Sequence, residues 1–62
     1  MRDKNRIEPT LAEIAKYWRR VPDWRFGQLI VNVLGTSTRD PFFLEEEDIL
    51  KLFQDFFKEG NA

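Results

Sequence analysis

Apolar residues recur at helical spacing in three separate stretches of the chain. In the first, Leu11, Ile14, Ala15, Trp18 and Val21 gather on one side of a wheel turning about 100° per residue, with Glu13, Lys16 and Arg20 opposite. Thr10, followed three residues later by Glu13, has the form of a capping box. Pro22 disfavours helical geometry at Val21, so the pattern predicts an amphipathic helix near 10–20. The second stretch is Phe26, Leu29, Ile30, Val33 and Leu34, widened by Trp24, Gly27 and Val31, and it covers more than half the circumference. That is the pattern of a helix packed on two sides. It is expected near 23–34, opening at Pro22-Asp23 and closing at Gly35 as a left-handed terminator. Only Arg25, Gln28 and Asn32 are left to it as a narrow polar stripe.

A polar connection, Gly35 to Pro41, leads to Phe42-Phe43-Leu44, three large apolar residues without helical spacing. They read as an extended plug laid across the core, although Asp40-Pro41 is equally able to cap a helix starting there. Beyond them Ile49, Leu52, Phe53 and Phe56, with Leu50 and Phe57 beside them, mark a third helix near 45–58, ended by Gly60. The expectation is an all-α, compact three-helix domain spanning 9–59 with the second helix in the middle. Residues 1–8 read as a flexible arm and 60–62 as a tail.

Composition narrows the chemistry. The 62 residues include neither Cys nor His, which removes disulfides, thiolate and imidazole metal ligands, and nucleophile–base pairs built on them. Thr36, Ser37 and Thr38 have no histidine to activate them, and so small a body encloses a substrate cleft with difficulty. No catalytic, cofactor-binding or metal-binding residue is expected. Glu45-Glu46-Glu47-Asp48 offers oxygens to a cation, but carboxylates in a first helical turn are already favoured by the helix dipole. A pairing of this run with the cations from Arg19 to Arg25 is a further expectation.

The net charge of −1 hides an asymmetry. Residues 1–39 hold eight bases against four acids, and residues 40–62 hold two bases against seven acids. No apolar run approaches the roughly 18 residues of a membrane span, and Met1 to Arg6 lacks the apolar core of a signal peptide. A cytoplasmic protein without membrane contact is expected.

Two binding roles remain. The first is a small non-enzymatic protein-interaction module, its partner another protein or a second copy. Trp24, Arg25, Gln28 and Asn32 would form its contacting face, beside the line of Gly27, Val31 and Gly35. Glycine inside a helix costs about 1 kcal/mol relative to alanine, so that line calls for close packing, against a neighbouring helix or a partner. Nine aromatic residues are also more than a thin core hides. The second is nucleic-acid binding through Lys16, Arg19, Arg20 and Arg25, since arginines grip phosphate and the interleaved aromatics stack on bases. Two helices joined by Val21-Pro22-Asp23 invite comparison with a helix-turn-helix. The absence of a positive excess argues against it.

Pro22-Asp23-Trp24-Arg25-Phe26-Gly27-Gln28-Leu29-Ile30-Val31-Asn32, followed by Asp40-Pro41-Phe42-Phe43-Leu44-Glu45-Glu46, resembles a group of short, functionally uncharacterised bacterial and phage-associated proteins. Their pattern is a P-D-x-R-x-G-Q-L-I-x-N core with a downstream D-x-F-[FY]-[IL]-E-[DE] segment. The likeness spans roughly residues 11–57. It implies a bacterial or phage origin and no activity, and it marks Arg25, Gly27, Gln28 and Asn32 as interaction or structural positions.

Overall fold

The computed structural model describes residues 2–60, and the side chains of residues 59 and 60 are outside that description. Three α-helices make up the fold: α1 (Ile7–Trp18), α2 (Phe26–Leu34) and α3 (Glu46–Gly60). Single 3-10 turns at Lys4–Arg6 and Pro41–Phe43 precede α1 and α3. The expected all-α three-helix architecture is observed, and no strand occurs among the described residues.

α1 begins earlier than its apolar pattern does. Asp3 accepts the Asn5 amide at 2.9 Å and starts a 3-10 turn that runs directly into Ile7. Residues 4–8, assigned to an arm by the sequence, are therefore helical. Pro9 is no obstacle, because the first four amides of a helix have no partner within it. Thr10 is not a cap. Its hydroxyl donates to the Arg6 carbonyl at 2.7 Å from inside the helix.

α1 ends at Trp18 and unwinds through Arg20 N–H to Tyr17 C=O and Val21 N–H to Trp18 C=O. Pro22 and Asp23 then lie in a turn closed by Trp24 N–H to Val21 C=O at 3.0 Å, so they are not the start of α2. This turn swings Trp24 back onto Phe56 and Phe57. Its carbonyl receives the Trp18 indole N–H at 2.9 Å, which ties the two helices together at this corner. α2 starts at Phe26 after an extended Arg25, with Gln28 Oε1 accepting the Arg25 amide at 2.8 Å. That bond satisfies one amide at the helix start.

Gly35 is not left-handed. Its φ and ψ are −67° and −12°, and α2 closes through right-handed turns, Gly35 N–H to Val31 C=O and Thr36 N–H to Val33 C=O. The Phe42–Leu44 plug is also corrected. Asp40 accepts the Phe42 amide at 3.0 Å and Pro41 supplies a helical φ, so Pro41–Phe43 winds into a 3-10 turn. Phe42 and Phe43 point outward, and of the three only Leu44 is half-buried.

The central helix is α3, where the sequence placed the second. α1 and α2 pack principally on α3, and they meet each other mainly where Trp18 lies against Phe26. Arg6 bonds Glu46 near the starts of α1 and α3, and Tyr17 stacks on Phe53 and Phe57 toward their ends, so the two helices run side by side in the same direction. The core consists of Leu29 and Val33 from α2 with Phe53 and Phe57 from α3. A half-buried shell of Ile14, Tyr17, Trp18, Trp24, Ile49 and Phe56 surrounds it. Removing the Phe53 ring costs about 3–5 kcal/mol, as much as the whole net stability a domain of this size holds.

Candidate functional site

The cations of the front half are engaged by the acids of the back half at one end of the molecule. Arg2 grips Glu45 with two nitrogens, Nε to Oε1 at 3.1 Å and Nη2 to Oε2. Arg6 Nε meets Glu46 Oε1 at 2.9 Å, and Arg39 lies 3.9 Å from Asp48. The Arg2 guanidinium, by hydrogen bond and by charge, holds the Glu45 carboxyl below the ordinary glutamate range, and Glu45 in turn raises Arg2. Asp48 Oδ2 accepts the Glu45 amide at 3.1 Å and so helps cap α3. The acidic run therefore closes α3 onto residues 2–6 and 39. It does not pair with the Arg19–Arg25 cations as the sequence suggested.

Above this clamp stands the most exposed apolar feature of the fold. Phe42 is 85% and Phe43 71% exposed, yet both are held firmly. Asp40 caps the turn through its side chain, and Phe43 N–H to Asp40 C=O and Leu44 N–H to Pro41 C=O close it. The two rings meet edge to face at 4.9 Å. Beneath them an open hollow of about 370 Å³ is floored by Arg2, Arg6, Leu44, Glu45 and Glu46.

The residues singled out by the sequence are more dispersed. Trp24 belongs to the half-buried shell. Arg25, Gln28 and Asn32 are exposed, as their stripe predicts, but Gln28 is tied to the Arg25 backbone. The face is polar and lacks an aromatic anchor, since Trp24 is turned inward. Gly27 and Val31 are open to solvent, and a Cβ built on Gly27 meets nothing within 4 Å. The expected helix packing along this line is absent.

Of the basic set, Lys16 is paired with Glu13 at 2.9 Å, and the Arg20 guanidinium lies 5.6 Å from the centre of the Phe57 ring. Arg19 and Arg25 are exposed. Among the described residues no cluster of three acidic ligands is placed to hold a metal ion, and no helix is long and apolar enough to cross a membrane.

The aromatic turn was not among the candidates read from the sequence. Its signal was Asp40-Pro41 ahead of three bulky apolar residues, a pattern compatible with either a buried plug or a displayed turn. Comparison of the chain with known families, curated proteins and solved structures returns no match.

Proposed function

We propose that the protein is a small non-enzymatic docking module that binds protein through the aromatic turn at residues 40–45. One observation carries this reading: two phenylalanines are held almost fully in water by a turn whose amides are satisfied by Asp40 and Pro41. A turn capped in this way keeps the rings presented before any partner arrives, which lowers the ordering cost of binding. Together they leave roughly 300 Å² open, and large aromatic side chains are the usual anchors of protein interfaces.

The chemistry around the turn favours protein over polyanions. Asp40 and Glu45 to Glu47 flank the rings, and the nearby Arg2 and Arg6 are already paired with Glu45 and Glu46. Phosphates would meet repulsion there. The nucleic-acid alternative is further weakened by the engagement of Lys16 with Glu13 and of Arg20 with Phe57.

A photocrosslinking benzoylphenylalanine in place of Phe43 tests the proposal inside producing cells. We expect one discrete protein adduct from this position and none from the same residue in place of Val31, which is 69% exposed on α2. No adduct at position 43, or equal labelling at both positions, overturns the reading.

A further inference from the structure

We infer that residues 2–12 form a charge-latched strap, closed by Arg2–Glu45 and Arg6–Glu46, whose release by rising salt loosens the aromatic turn and the first half of α1 together. Ionic strength thus sets how firmly Phe42 and Phe43 are presented.

Charge is what fastens this segment. No apolar side chain of residues 2–12 belongs to the core or to the half-buried shell around it, whose first member along the chain is Ile14. Ile7 and Leu11, its two large apolar residues, are 49% and 56% exposed. Among the described residues, its ion pairs to the rest of the molecule are Arg2–Glu45 and Arg6–Glu46. All four side chains are partly open to water, so each pair is weak and salt screens both at once. A helix as short as α1 is marginal by itself, and its unanchored first half keeps its winding while the latch is closed.

The two arginines also join the segment to the turn. Arg6 reaches Glu46 through Nε and the Asp3 carbonyl through Nη1 at 2.8 Å, so one side chain closes the latch and holds the 3-10 turn that starts α1. Arg2 grips Glu45, the residue that links Leu44 of the aromatic turn to α3. Glu45 donates its amide to Asp48 Oδ2, and its carbonyl accepts the Ile49 amide at 3.1 Å. Both arginines floor the hollow beneath the rings. Opening the strap therefore frees the start of α1, unpins the junction behind the rings and removes the floor under them.

Amide exchange followed by NMR, on the full chain in about 20 mM and about 500 mM sodium chloride, tests this. In the wild type, high salt should lower the protection of amides 11–13 and of amides 42–45 by roughly threefold or more, with the Val33 and Phe53 amides changing less. Arg2→Gln with Arg6→Gln should reproduce both losses in low salt, after which added salt has little further effect. Glu46→Gln, made on the opposite side of the latch, should loosen amides 11–13 as well. Lys16→Gln, which removes the Lys16–Glu13 pair away from the strap, should leave amides 42–45 as in wild type. Unchanged protection of either segment, loosening of one without the other, an equal salt response in the double variant, or a loosened turn in Lys16→Gln overturns the inference. Exchange reads the strap whether or not anything docks on the turn, so a missing adduct at position 43 sinks the docking role and leaves the strap standing.

Discussion

Gly27 and Gly35 sit four residues before and after Val31, and the two glycines answer to different constraints. A methyl group on Gly27 meets open space, whereas one on Gly35 comes within 2.6 Å of the Val31 carbonyl, backbone that cannot step aside. Gly27→Ala should therefore stabilise the protein by about 0.5–1 kcal/mol, by lowering the entropy of the unfolded chain. Gly35→Ala should destabilise it by about 1–3 kcal/mol, the range for a forced overlap. Urea unfolding of the two variants checks both signs. Neither role is visible in the sequence, because a shared spacing of four says which line residues occupy and nothing about what approaches that line. Gln28 has the same character. Its place on a polar stripe was legible, but its service to the Arg25 amide depends on the chain entering α2 extended at residue 25.

The short elements decide what the long ones present. Asp40 and Pro41 convert a run that alternates with nothing into a 3-10 turn, and this alone separates a buried plug from a displayed pair of rings. Asp40→Ala removes the acceptor for the Phe42 amide, so exchange of that amide should accelerate severalfold, with global stability lowered by only about 0.5–2 kcal/mol. Amide exchange followed by NMR reads the first effect, and exchange at Phe42 equal to wild type would refute the capping role. The three helices themselves were readable because each carries an apolar stripe of period 3.6. Their ends were less so. α1 starts at Ile7 because Asp3, eight residues ahead of the first residue in the stripe, begins the winding. α2 starts three residues late because a turn through Pro22 and Asp23 is what carries Trp24 to Phe56 and Phe57. The broad apolar coverage of α2 suggested a central helix. Leu29, Ile30, Val33 and Leu34 of that set pack inward, but Phe26, Gly27 and Val31 are exposed, Trp24 precedes the helix, and the two-sided helix is α3.

At the scale of the molecule, the basic front and acidic back of the chain fold onto each other through Arg2–Glu45, Arg6–Glu46 and Arg39–Asp48. Glu45 has its folded pKa depressed by Arg2. Its contribution is thus complete above the ordinary glutamate pKa, about 4.3, and is lost as pH falls through the lower folded value. The melting temperatures of wild type and Arg2→Ala should differ near neutral pH and converge in acid below that window, and added salt should narrow the gap at any pH. A gap that persists unchanged into acid would show that Arg2 acts by something other than its charge. The placement of α3 also has a consequence in time. The helix on which the other two rest is the last to be made, and Phe57, a core residue, follows the end of α1 by 39 residues. At about 5–20 residues per second, a nascent α1 waits roughly 2–8 s for its support. Twelve residues of isolated helix are marginal in water, so through that interval the first two helices have no stable intermediate to rest in, and they consolidate together only when α3 has emerged.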